Sequence, residues 1–200
     1  MKSFAQNTLT DFLAALAAPT PAPGGGAAAA VSGATAAALV EMVAGLSLKK
    51  SPESADAALQ QRTAAQMSAA RGELLKFADD DANAYDAFIQ AMRLPKIEES
   101  EREERGRAMS AAAERAAEIP LQTLCAITSI AEAARLLTGR SLVSAASDLE
   151  VALRFARAAG LSAAENVEVN LPFIDNSERR ATLANQTTTS VAALERSTQS

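Results

Sequence analysis

The chain has 200 residues, a formal net charge of −5 from 19 basic and 24 acidic side chains, and neither histidine nor tryptophan. That length suits one domain with a sizeable core; alanine, which loses no side-chain entropy in a helix, supplies about a quarter of it and points to an all-helical protein. The lack of His excludes imidazole acid–base chemistry, Ser-His-Asp and Cys-His nucleophiles and imidazole metal sites, the single Cys125 excludes disulfide frameworks and thiolate zinc, and the acidic balance argues against a nucleic-acid face.

The first helix is expected over 9–18, capped by Thr8 or Thr10, with Leu9, Phe12, Leu13 and Leu16 on one face. Pro19, Pro21 and Pro23 end it, since each removes a donor and pushes its predecessor out of the α region. Gly24, Gly25 and Gly26 then lead into a second helix over 27–46. Its residues are small on all sides, so it belongs at the centre of the fold and not across a membrane. Ser51-Pro52-Glu53 reads as the start of a long third helix ending near Leu94, with Gly72 as a candidate bend. Ser100-x-x-Glu103 resembles a capping box for a fourth helix that stops before Pro120. A fifth is expected over 121–137 and a sixth over 141–159, ending at Gly160. A short helical stretch follows to Asn170, Pro172 breaks it, and a last amphipathic helix spans 175–196. Only 167–171 has any strand character, and there is no internal repeat or domain linker. Residues 1–200 are read as one domain. Nothing after Met1-Lys2-Ser3 has the apolar run of a signal peptide, and one free thiol suits a reducing cytoplasm.

Three segments can carry chemistry. Gly24-Gly25-Gly26 permits close backbone approach, and the helix start behind it directs free N–H groups outward; without Gly-Lys-Ser/Thr or Gly-x-Gly-x-x-Gly it is no nucleotide loop. Asp79-Asp80-Asp81 places adjacent carboxylates together, and Asp81, Tyr85 and Phe88 share a helical face; a solvated acidic turn is the plainer reading. Ser147-Asp148 stands in apolar surroundings, either beside Glu150 on a wet face or buried for a purpose. The cations Lys49, Lys50, Lys96 and Arg105 can hold a carboxylate, although scattered solubility charges explain most such residues. Cys125, among Leu124, Ala126 and Ile127, reads as a core thiol.

In this order the pieces resemble the cyclodeaminase/cyclohydrolase family of folate enzymes. The match runs through Phe12-Leu13-x-x-Leu16, Pro21-x-Pro23-Gly24-Gly25-Gly26, Met42-Val43 and Lys49-Lys50. It continues through Asp81-x-x-x-Tyr85, Leu94-Pro95-Lys96, Arg105, Ile119-Pro120-Leu121, Ser147-Asp148 and Asn166-Val167-x-Val169-Asn170. It covers about residues 9–171. The chain departs where Gly139-Arg140-Ser141-Leu142-Val143-Ser144 replaces the family's Gly-Asn, and where Leu48 replaces a glycine before Lys-Lys.

The resemblance implies an all-helical bundle around one central helix, a homodimer, and activity on one-carbon tetrahydrofolates with no cofactor beyond that substrate and no metal. The implied reaction is hydrolysis of 5,10-methenyltetrahydrofolate to 10-formyltetrahydrofolate. The alternatives are formiminotetrahydrofolate cyclodeamination, a folate-binding relative without turnover, or a helical interaction module. The methenyl carbon is already electrophilic, so the enzyme must take a proton from water and stabilise the adduct. Asp81 and Asp148 are expected to share that work, with Lys49 or Lys50 donating to the developing oxygen or holding the folate's glutamate. Gly24, Gly25 and Gly26 are expected to offer main-chain donors, Tyr85 to stack, Lys96 and Arg105 to bind the folate tail, and Asn166 and Asn170 to pair with the pterin edge.

Overall fold

The computed structural model describes residues 3–199. Six α-helices carry the fold: α1 Leu9–Ala17, α2 Gly25–Lys50, α3 Ala57–Met92, α4 Glu99–Leu137, α5 Ala146–Glu168 and α6 Ser177–Thr198, with short 3-10 turns at Phe4–Gln6, Val143–Ala145 and Leu171–Phe173. No strand occurs among the described residues; Val167 lies in the last turn of α5 and Leu171 opens a 3-10 turn.

Local chemistry accounts for most boundaries. Thr8 caps α1, its Oγ1 accepting from the Asp11 amide at 3.1 Å while Asp11 accepts back from Thr8. The start of α4 is set by Glu101, which accepts from the Ile97 and Glu98 amides, two residues earlier than the expected Ser100 box. Asn176 caps α6 by accepting from the Arg179 amide. Ser51-Pro52-Glu53 does not open α3: two successive turns, Ser54 to Ser51 and Ala57 to Ser54, delay the helix to Ala57.

Two expected breaks are absent. α4 runs through Pro120, and α5 runs through Gly160 to Glu168. At Gly160 the reason is packing. A Cβ there would lie 2.4 Å from Leu194 Cδ2, so the glycine marks where α6 closes on α5. Gly72 sits in open space within an uninterrupted α3.

α2 packs chiefly on α3 and α5 and crosses α4. Ala27, Ala30, Ala34, Ala37, Val40 and Ala44 are buried along its inner side. Gly33 permits the crossing, since a Cβ would meet Ile127 Cγ1 at 2.6 Å. α2 is long and apolar enough to span a bilayer, but that inner side is core. It is not covered all round, however. Met42 and Leu46 are 41% and 43% exposed, and on neighbouring α5 Val151 and Phe155 are 38% and 42% exposed. Apolar side chains of both α2 and α5 are thus left uncovered.

α2 and α5 are antiparallel. Asn166, near the end of α5, lies against Gly25 at the start of α2. At the other end the Leu142 amide donates to Ser47 Oγ at 2.7 Å. This places everything discussed below at one end of the bundle or the other.

Candidate functional site

Gly24, which starts α2, has no side chain to cap the helix. A residue from α3 does so instead. The Ala27 amide, the third of the helix, faces the Asp81 carboxylate and favours its charged form. The carboxylate lies over Gly26 so closely that a Cβ at Gly26 would be 2.1 Å from Oδ1 and 2.5 Å from Cγ. Burial raises the Asp81 pKa above the ordinary carboxylate value of 3.8, and the Ala27 N–H partly offsets the rise. A carboxyl group in this position can exchange a proton with a ligand at the helix start.

A cavity of about 360 Å³ opens beside Asp81. Its walls are Pro21, Ala22 and Gly24 to Gly26 from the entry to α2, then Asp81, Tyr85 and Phe88 from α3. Ala116 of α4 joins Asn166, Val169, Asn170 and Phe173 from the end of α5 and the turn that follows. Phe88 and Phe173 meet edge to face at 5.1 Å. Asn166 Nδ2 donates to Ser162 O, and Asn170 Nδ2 donates to both Asn166 O and Ala116 O. Among the described residues no Lys or Arg lines this cavity. Its polar character is one acid, amide oxygens and a helix N-terminus.

Seven of the expected site residues therefore meet in one place: Gly24, Gly25, Gly26, Asp81, Tyr85, Asn166 and Asn170. The expected pairing of Asp81 with Asp148 is not made within the chain. Asp148 stands in the first turn of α5, eighteen residues before Asn166, or about 27 Å along the helix. Lys49 and Lys50 end α2, with Lys49 about 35 Å of helical rise from Gly26. Both cations are exposed, and Lys50 borders a separate polar hollow with Ser47, Gln60 and Arg140. The reason is length: a helix of 26 residues cannot bring its two ends to one ligand.

Lys96 is exposed in the loop between α3 and α4. Arg105 is occupied nearby, its Nε donating to Met92 O at 3.0 Å and so closing the end of α3. Neither lines the cavity. Asp79 belongs to no acidic turn. It sits within α3 and accepts from Ser3 Oγ at 2.5 Å and the Phe4 amide at 2.7 Å, anchoring the first 3-10 turn. Cys125 is also not a core thiol. It is exposed in a shallow groove between α4 and α6, 3.5 Å from Ser190 Oγ, where Arg179 pairs with Glu114 and Glu118.

Phe173, Val169 and Ala116 were not foreseen as wall residues. Phe173 follows Pro172 in what reads as a break, and Ala116 is one alanine among many; neither carries a local signal.

A model of the formiminotransferase-cyclodeaminase family matches residues 8–189. Methenyltetrahydrofolate cyclohydrolase of Methylorubrum extorquens is 35% identical over 170 residues, covering 84% of this chain and 81% of that protein. The formimidoyltransferase-cyclodeaminase of Gallus gallus is 28% identical over 177 residues, 88% of this chain but 33% of the larger enzyme. The crystal structure of formiminotetrahydrofolate cyclodeaminase from Thermotoga maritima superposes with a TM-score of 0.88 at 26% identity, covering 98% of this chain and 93% of that one. With a matching family model over most of its length, an all-helical fold shared with a solved relative and a cyclohydrolase relative above 30% identity, the chain belongs to the formiminotransferase-cyclodeaminase family.

Proposed function

We propose that this protein hydrolyses 5,10-methenyltetrahydrofolate to 10-formyltetrahydrofolate, with Asp81 as the proton-handling group. The observation that carries the proposal is the half-buried Asp81 carboxyl, its pKa raised, poised at the start of α2 in a cavity of acceptor groups. The 35% identity to the Methylorubrum cyclohydrolase supports the choice of reaction.

The methenyl carbon is an amidinium-like cation. Water adds to it, a C–O bond forms, and Asp81 takes the water's proton. Collapse of the adduct breaks the bond to N5, which receives that proton; the hydroxyl proton leaves to solvent and the formyl group stays on N10. Ionised Asp81 and the amide oxygens offset the positive end of α2, and among the described residues no Lys or Arg lines the cavity, which suits a positively charged reactant. Phe88, Phe173 and Tyr85 offer apolar walls for the ring system, and exposed Lys96, in the loop that follows α3, is the candidate partner for an anionic tail outside the cavity.

The proposal includes a homodimer in the cytoplasm. The uncovered side chains of Met42, Leu46, Val151 and Phe155 support a second copy there. Asp148, Lys49 and Lys50 take part only in an assembly where a second copy brings them to the Asp81 cavity. Cyclodeamination of formiminotetrahydrofolate is the second reading, favoured by the TM-score of 0.88 to the Thermotoga enzyme.

The test is a pair of assays on the same preparation: decay of methenyltetrahydrofolate absorbance, and ammonia release from formiminotetrahydrofolate. Hydrolysis above the uncatalysed rate, lost in Asp81→Asn, is expected. Ammonia release without hydrolysis would replace the first reading by the second.

A further inference from the structure

We infer that Pro120 is a positioning residue that turns the Asn170 side chain into a fixed hydrogen-bond acceptor at the cavity wall. Pro120 lies inside α4 and has no N–H, so the carbonyl of Ala116, four residues earlier, has lost its helical donor. Ala116 is a buried residue of the cavity wall, and an unpaired carbonyl there is costly. Asn170 supplies the missing bond, its Nδ2 donating to Ala116 O at 3.2 Å.

The same nitrogen meets a second orphan. α5 ends at Glu168, and the Asn170 amide turns back to Val167 O, leaving Asn166 O without its usual partner. Asn170 Nδ2 donates to that carbonyl at 2.7 Å. Both N–H bonds of the side-chain amide are thereby spent on carbonyls, which also decides the orientation of the group: nitrogen toward the two helices, oxygen away from them. Oδ1 is left without a protein partner on a residue that lines the cavity.

The consequence for recognition rests on the folate reading above. An amide free to flip accepts or donates as the ligand demands. One pinned through both N–H bonds accepts only, and so selects a ligand edge that presents N–H groups, as the pyrimidine edge of a reduced pterin does.

The test uses Pro120→Ala, Asn170→Leu and the double variant. Pro120→Ala gives Ala116 O a helical donor and frees one N–H of Asn170, in a helix that tolerates alanine better than proline, so its thermal midpoint is expected not to fall. Its KM for methenyltetrahydrofolate is expected to rise about tenfold with kcat within about twofold, the size of one hydrogen bond lost in binding. Asn170→Leu is expected to raise KM at least as much, and the double variant no further than Asn170→Leu, because Pro120 acts through Asn170. In ligand-free protein, hydrogen exchange of the Asn170 side-chain amide followed by NMR is expected to be slow in the parent and faster in Pro120→Ala. Unchanged exchange in Pro120→Ala overturns the positioning role, and additive KM effects overturn the route through Asn170. A parent protein that neither binds nor turns over folate overturns the folate reading instead, and the exchange measurement still decides the positioning.

Discussion

The two ends of α2 bring polar groups together for different ends. At its start, the helix has no capping side chain of its own, and Asp81 from α3 fills the position beside an open cavity. At its finish, most polar groups are tied to one another, although buried Ser54 Oγ and Gln60 Oε1 have no partner among the described residues. Buried Ser47 donates to Val43 O and accepts from the Leu142 amide, Gln60 donates to Arg140 O, and Arg140 pairs with Asp56. Lys49 and Lys50 sit where cations complement a helix C-terminus. The contrast lies in the carboxylates: Asp56 at the finish is paired with Arg140, whereas Asp81 at the start is half-buried beside an open cavity.

Variants at the two ends should therefore part company, activity at one and stability at the other. The largest effect is expected from Asp81→Asn, which keeps an acceptor for the Ala27 amide but not a base. Hydrolysis should fall by about 10²–10⁴, and denaturant unfolding at neutral pH should show no loss of stability. Retention of full activity would break the comparison outright. Gly26→Ala is next. Its Cβ displaces the Asp81 carboxylate, and a loss of activity of at least about tenfold is expected together with about 1–3 kcal/mol of stability.

Mixing chains sharpens the comparison across subunits. If Asp148 acts from a second copy, Asp81→Asn and Asp148→Asn proteins, each inactive alone, should recover about a quarter of parental activity when refolded together in equal amounts, since half the dimers then hold one intact site. No recovery would leave Asp148 outside the reaction. At the far end, Ser47→Ala strands the Leu142 amide and the expected cost is about 1–3 kcal/mol with kcat unchanged. Equal damage to kcat would mean that the two ends are not separate.

The smallest effect is a pH slope. Burial raises the folded pKa of Asp81, so the fold favours its protonated form. That contribution is complete below the unfolded value of 3.8 and is lost as pH rises through the folded value. Stability of the parent relative to Asp81→Asn should decline over that interval, and activity should climb over the same interval as the base ionises.

Much of the site was legible because its residues obey helical spacing. Asp81, Tyr85 and Phe88 share a face by their intervals, and Asn166 and Asn170 do likewise. What escaped was set by partners distant in sequence. Pro120 reads as a terminus because the rule for proline counts donors only along its own helix, whereas Asn170 reaches Ala116 O from 54 residues away. Cys125 reads as core because its neighbours are apolar, yet on a helix the neighbours in sequence point elsewhere. Asp148 and Lys49 read as companions of Asp81 only through family likeness; the helix expected over 27–46 already sets Lys49 far from Gly26, whereas the distance of Asp148 from Asn166 follows from α5 continuing through Gly160.

The amino-acid sequence alone determined an all-helical build without histidine chemistry, because alanine content, apolar spacing and capping residues act over a few positions and need no knowledge of the fold. Tertiary structure alone decided which carboxylate meets the glycine entry, which glycines serve packing, and that α4 continues through its proline. Each of those depends on hydrogen bonds or van der Waals contact between helices, and such contacts exist only once the helices have been laid side by side.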